Sequence, residues 1–194
     1  RLHGEYQDEY IDLIDLRNGT FLRNNQNSDL NIYDNVLTDI TYLTGWLNKI
    51  TVLDKNKFLF IATIGGSSKL CCSQFGKEEV SEITGEGKVL DYVVEEDGIY
   101  LIAMRGISGP EFYYKKTDGG EELRLTDLNT GLEKEYAYVK PERCDFLDRE
   151  GNYIEGWVMK PTVFDVETKY PTILFIHGGP NCAYGAVFTH EMQV

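Results

Sequence analysis

The chain has 194 residues, of which 42% are hydrophobic and 26% are charged, so it carries enough apolar residues for a folded core. Its formal net charge of −13 argues against a nucleic-acid partner, because such a partner needs a basic surface. No stretch reaches the roughly 18 apolar residues of a membrane-spanning helix, so we expect no membrane partner. The charge fits an acidic surface that keeps the protein soluble, and a funnel that attracts cationic peptides is the alternative.

The cysteine pattern indicates the compartment and argues against a metal site. The four cysteines, Cys71, Cys72, Cys144 and Cys182, show none of the spacings that bind metals. Cys71 and Cys72 are adjacent on a predicted strand, so their side chains point to opposite faces. We therefore expect free thiols in a reducing cytoplasm, with no metal and no cofactor. The sequence leaves the oligomeric state open, a homo-oligomer included.

The first predicted element is a hairpin over residues 9–24. Apolar and polar residues alternate there on both sides of Asn18-Gly19, which is a strong signal for a tight hairpin turn. Residues 25–45 are rich in Asn and Asp and have no clear period, so we expect a connection or an irregular strand.

Eight short strands follow, in two groups of four. They are predicted at Ile50–Leu53, Phe58–Thr63, Lys69–Gln74 and Glu79–Thr84, then at Leu90–Val94, Ile99–Met104, Glu111–Lys115 and Glu122–Thr126. The run Phe58–Ala62 resembles Ile99–Ala103 at an offset of 41 residues. Four strands at a period of about 40–45 residues are typical of a β-propeller blade. With the first hairpin this predicts about two and a half blades over residues 1–139; a meandering antiparallel sheet is the alternative.

The pattern changes near residue 140. Residues 141–147 and 153–159 read as two strands of a hairpin around Asp148–Gly151. Thr172–Ile176 then form an unbroken apolar or β-branched run, which predicts a strand buried on both faces. An all-β part followed by an α/β part predicts two domains. The predicted fold is therefore mostly β, the last blades of a propeller followed by the first strands of an α/β-hydrolase domain at 140–194.

The apolar run ends in His177-Gly178-Gly179-Pro180, named here the diglycine loop. Glycines let a backbone bring its N–H groups close to a ligand. In α/β-hydrolases a strand-to-helix loop at this place, often with a His-Gly-Gly signature, supplies one N–H to the oxyanion hole. The loop therefore indicates acyl-transfer chemistry.

Together these segments resemble the prolyl oligopeptidase family, most closely its acylaminoacyl-peptidase and bacterial dipeptidyl-peptidase branch. The resemblance is carried by residues 145–161, the diglycine loop and Tyr184-Gly185. It implies a serine peptidase that hydrolyses short peptides through an acyl-enzyme, with a propeller preceding the hydrolase domain. It also implies that the Gly179 amide N–H lies in the oxyanion hole, while His177, Gly178 and Pro180 shape the loop. Tyr184 is the candidate substrate contact.

The nucleophile expected from this resemblance is absent, since no Gly-x-Ser-x-Gly elbow occurs in the chain. In α/β-hydrolases Ser, Asp and His follow this loop in that order, so we expect all three beyond Val194. The chain also starts at Arg1, and we expect a piece of a longer protein that is inactive by itself. Two other functions stay open: a non-enzymatic propeller that binds proteins or peptides, and an esterase-type α/β-hydrolase.

Overall fold

The computed structural model describes residues 11–24, 30–40, 49–117, 119–179 and 182–193. Most of its regular structure is β. The strands are β1 (Ile11–Ile14), β2 (Phe21–Asn24), β3 (Thr51–Val52), β4 (Lys57–Ile64), β5 (Ser67–Gln74), β6 (Val80–Glu82), β7 (Lys88–Val94), β8 (Ile99–Met104), β9 (Glu111–Lys115), β10 (Leu123–Arg124), β11 (Glu142–Arg143), β12 (Phe146–Leu147), β13 (Tyr153–Ile154) and β14 (Trp157–Val158). A short helix α1 (Thr130–Glu135) and a 3-10 helix (His190–Met192) complete the described elements, and no helix among them is long and apolar enough to cross a membrane.

The predicted eight strands are confirmed as two antiparallel meanders. Strands β3 to β6 pair in chain order, and so do β7 to β10. A single parallel pair, Ser68 with Lys88, joins the two meanders. Strands β8 and β9 have the bounds that the sequence predicted. The chain is thus mostly β, as expected, with a repeated four-stranded unit at its centre.

Strand β4 lies at the centre of the core and buries both faces. On one face Leu59 and Ile61 pack with residues of β5, β7, β8 and β9. On the other face Phe58 and Phe60 pack with Ile11 of the first hairpin. This explains the nearly continuous apolar sequence of β4, since a strand covered on both sides has no polar face.

Glycines in left-handed conformations make two of the tight turns. The predicted Asn18-Gly19 turn between β1 and β2 is confirmed, with Gly19 at φ 71°. Gly65 and Gly66 join β4 to β5 as a two-residue loop with φ values of 55° and 69°. Positive φ at both positions defines the type I′ turn that suits the twist of a hairpin.

The carboxylate of Glu111 is buried at the start of β9, with its side chain fully covered. It accepts five hydrogen bonds from Arg124, Thr126, Leu128 and Asn129, the last giving two. Burial alone would raise the pKa of Glu111, but the hydrogen bonds from these partners outweigh it and lower the pKa to about 2. The cluster fixes the chain just before α1, a helix that hydrophobic periodicity could not predict because it buries none of its residues.

Residues 141–159 form the predicted hairpin, which consists of two short antiparallel strand pairs. Strand β11 pairs with β14, and β12 pairs with β13.

The prediction of a buried strand over Thr172–Ile176 is wrong, because Ile173, Leu174 and Ile176 are 86%, 82% and 78% exposed. Burial of an apolar strand requires neighbouring strands on its edges and layers on its faces, and no described strand pairs with this run. The domain boundary near residue 140 stays a prediction.

Candidate active site around the diglycine loop

The diglycine loop is open to solvent at the residues that the structure describes. His177, Gly178 and Gly179 are all exposed, and Pro180 lies outside the described residues. A Cβ atom added to Gly178 would meet no other atom within 4 Å, so the loop is not crowded there. Within the described ranges, no group accepts a hydrogen bond from the amide N–H of Gly179.

The structure brings two of the predicted site residues together, His177 and Tyr184. Their rings meet edge to face, with centroids 5.5 Å apart and an interplanar angle of 86°. The Tyr184 ring also lies 6.1 Å from the ring of Phe175, just before the loop. Burial raises the pKa of the Tyr184 hydroxyl, and the charge of Glu191 adds to the effect. Tyr184 thus supports the loop from one side, and its role in substrate binding stays a prediction.

The His177 ring is engaged with its own loop. Its Nδ1 atom lies 2.8 Å from the carbonyl oxygen of Gly178. In the described part of the chain, no histidine ring is hydrogen-bonded to a serine, a cysteine or a carboxylate. These residues therefore form no nucleophile–base pair, and no group of three or more potential metal ligands occurs among them.

The backbone at Tyr184 and Gly185 is held by Trp157 and by a close contact with the β4–β5 turn. The indole Nε1–H of Trp157 donates a 2.9 Å hydrogen bond to the carbonyl of Tyr184. A Cβ atom on Gly185 would lie 1.9 Å from the carbonyl oxygen of Gly66, and one on Gly66 would lie 2.5 Å from Trp157 Cζ2. Distances this short leave no room for a side chain, so glycine is required on both sides of the contact.

Residues 30–40, named here the linking segment, lie along the chain that follows the diglycine loop. The amide of Ala183 donates to Asn35 O at 2.9 Å, and Leu37 N donates to Ala183 O at 2.8 Å. These two bonds make a parallel bridge between Val36 and Ala183. Val36 is 1% exposed and shares an apolar cluster with Met104, Val187 and Phe188.

Two side chains of the linking segment extend this contact further along the chain. Thr38 Oγ1 donates to Phe188 O at 2.9 Å. The Asp39 carboxylate accepts from His190 N at 2.8 Å and from Glu191 N at 2.6 Å. These amides open the 3-10 helix, and the first amides of a helix have no partner within it. Asp39 thus satisfies them from 151 residues away in sequence.

The linking segment is in turn fixed to the sheet by a buried ion pair. Lys88 Nζ lies 2.7 Å from Asp34 Oδ2, and the lysine side chain is 4% exposed. The same ammonium donates to Val36 O at 2.5 Å, and Ser68 Oγ donates to Asp34. A buried charge is tolerated only when it is paired and hydrogen-bonded, as here. A continuous set of contacts therefore runs from the sheet through the linking segment to Ala183 and Tyr184.

Sequence reasoning found the loop but missed this support. The linking segment has no motif of its own. The pairs Gly65-Gly66 and Tyr184-Gly185 were visible, but neither indicates that the two segments touch.

Comparisons with known proteins find peptidases. The chain is 39% identical over 85 residues to the uncharacterized peptidase YuxL of Bacillus subtilis, a match that covers 44% of this chain and 13% of the relative. It is 29% identical over 103 residues to dipeptidyl-peptidase 5 of Schizosaccharomyces pombe, which covers 53% of this chain and 14% of the relative. No protein-family model matches the chain.

Among solved structures, the chain is similar to acylaminoacyl peptidase. The Pyrococcus horikoshii enzyme matches with a TM-score of 0.59 and 27% identity, over 75% of this chain and 23% of that one. An acylaminoacyl peptidase in complex with Z-Gly-Gly-Phe-chloromethyl ketone matches with the same TM-score, 28% identity and the same coverage. The aligned part spans less than a quarter of each of these four proteins.

Proposed function

We propose that this chain is part of a serine peptidase of the prolyl oligopeptidase family, the family indicated by its motifs, its peptidase relatives and its structural neighbours. The enzyme hydrolyses short peptides of the acylaminoacyl or dipeptidyl type through an acyl-enzyme. The observation that carries the proposal is the exposed Gly179 amide at the end of the apolar run. Residues 1–139 form the last part of a propeller, and residues 140–194 begin the hydrolase domain.

The proposed role of Gly179 follows from the charge that develops during acyl transfer. When a serine oxygen attacks a peptide carbonyl, the carbonyl oxygen becomes an oxyanion. A backbone N–H fixed to point at that oxygen stabilises the transition state more than the substrate, and removing one such donor costs roughly 3–4 kcal/mol. The second donor is the amide of the residue after the nucleophile. The Ser, Asp and His triad comes from residues beyond Val194, so the 194-residue chain alone is inactive.

Short peptides are the proposed substrates because the structural neighbours include an acylaminoacyl peptidase bound to a peptidyl chloromethyl ketone.

We also propose a cytoplasmic location, which the four unpaired cysteines support. Cell fractionation with an antibody against the protein tests the location; recovery in a secreted fraction would contradict it.

The test of the proposed activity uses the full-length protein that contains this chain. It is incubated with acetyl-aminoacyl and dipeptidyl p-nitroanilides, with short p-nitrophenyl esters, and with a fluorophosphonate probe that labels activated serines. Cleavage of a peptide anilide together with probe labelling supports the peptidase. Cleavage of esters alone points to an esterase. A folded protein that neither cleaves nor reacts with the probe points to a binding module.

A further inference from the structure

We infer that the linking segment positions the diglycine loop, and that Asp39 is a positioning residue for the oxyanion-hole amide of Gly179. This inference rests on the proposed function and adds a residue that the loop motif does not contain. Asp39 would touch neither substrate nor nucleophile. It acts through the backbone at His190 and Glu191, to which its carboxylate is bonded.

The chain that follows the diglycine loop is held by the linking segment. Ala183 lies only four positions after Gly179, and both its backbone polar groups bond to the linking segment. The Thr38 hydroxyl holds Phe188, and Asp39 holds the first turn of the 3-10 helix. These three groups of hydrogen bonds, named here the anchors, thus hold residues 183–191 to the linking segment.

A ring contact connects these anchors to the diglycine loop. The Tyr184 ring contacts the His177 ring, and its carbonyl accepts from Trp157. The next residue, Gly185, is in contact with Gly66 with no free space between them. A shift of the backbone at Tyr184 therefore moves the ring against which His177 packs.

An oxyanion hole is sensitive to small displacements of its hydrogen-bond donors. The donor must lie about 2.7–3.1 Å from the developing oxyanion, and a misplacement of about 1 Å can lower the rate by about 100-fold. Substrate binding depends less on this distance, because the donor acts mainly in the transition state. Loosening the anchors should therefore lower kcat and leave KM nearly unchanged.

The experiment compares Asp39→Ala with Asp54→Ala in the full-length protein. Asp54 is a matched control, because it also accepts two backbone amides, from Asn56 at 2.7 Å and Lys57 at 2.9 Å, in the turn of the β3–β4 hairpin. For Asp39→Ala we expect kcat to fall about 10-fold to 100-fold with KM within about twofold of the wild type. Asp39→Asn, which keeps one carbonyl oxygen as an acceptor, should recover part of the loss.

A second measurement separates positioning from stability. Hydrogen exchange of the amides of residues 183–191 should speed up in Asp39→Ala, while the thermal midpoint changes no more than in Asp54→Ala. An active wild type whose Asp39→Ala variant keeps full kcat overturns the inference and leaves the peptidase proposal intact. So does a parallel loss of kcat, substrate binding and thermal stability in Asp39→Ala. An inactive wild type overturns both proposals.

Discussion

Replacing Glu111 with Gln tests the buried carboxylate that holds β9 to the chain before α1. The carboxylate accepts from Leu128 N at 3.0 Å, from Asn129 N at 2.7 Å and from Arg124 at 2.8 Å, besides the Thr126 hydroxyl. Gln has the same shape but presents an amide NH₂ in place of one oxygen. At least one backbone N–H then faces a donor instead of an acceptor, and Arg124 loses the nearest of its three acidic partners.

The size of the effect follows from the pKa and from the hydrogen bonds. Lowering the pKa of Glu111 from its ordinary 4.5 to about 2 corresponds to roughly 3 kcal/mol in favour of the charged form. Arg124 is 31% exposed, so solvent screens part of this energy. An unsatisfied buried donor costs about 1–3 kcal/mol. We expect Glu111→Gln to lower the free energy of unfolding by about 2 kcal/mol near neutral pH.

The assay is urea unfolding of the wild type, Glu111→Gln and the exposed control Glu121→Gln, followed by circular dichroism. Because the folded pKa is lowered, the carboxylate stabilises the fold fully above pH 4.5, and this stabilisation is lost as the pH falls toward about 2. The difference between wild type and Glu111→Gln should shrink over that range. A Glu111→Gln variant as stable as Glu121→Gln would refute the reasoning, and so would a difference that grows on acidification.

Two further predictions concern buried groups. Lys88→Met leaves the Asp34 carboxylate, which is 25% exposed, without its ammonium partner and should lower the free energy of unfolding by about 1–3 kcal/mol. Lys160→Met removes an exposed ion pair and should cost less than about 1 kcal/mol. Equal thermal midpoints for the two variants would contradict this. Burial raises the pKa of the Cys71 thiol to about 12, so brief iodoacetamide treatment of the folded protein should alkylate exposed Cys144 and spare Cys71. Mass spectrometry measures the labelling, and equal rates at the two thiols would show that Cys71 is accessible.

Local sequence predicted the elements whose structure is set locally. The Asn18-Gly19 turn needs only its own residues, and strands β8 and β9 lie where apolar runs are bounded by turn residues. The eight strands of the two meanders were each predicted from a short apolar or β-branched run, and the offset of 41 residues indicated that they repeat. Residues 145–161 and the diglycine loop carry the resemblance to the prolyl oligopeptidase family. The peptidase relatives and structural neighbours confirm that resemblance.

What the sequence did not predict depends on contacts between distant residues. Thr172–Ile176 have the composition of a buried strand, but burial is a property of the strands around them, and they are exposed here. Glu111 looks like any acidic residue at the start of a strand, and only the fold surrounds it with donors. Asp39 bonds to amides 151 and 152 residues away, so no pattern within the linking segment reveals its role.

The most direct measurement of the central claim is the kcat of the full-length protein with Gly179→Pro beside Gly179→Ala, each shown to be folded by circular dichroism. Proline removes the amide N–H at this position, and alanine keeps it. If Gly179 stabilises the oxyanion, the proline variant should turn over about 100-fold to 1,000-fold more slowly than the alanine variant, with KM changed little. Equal turnover in two folded variants would remove the diglycine loop from catalysis.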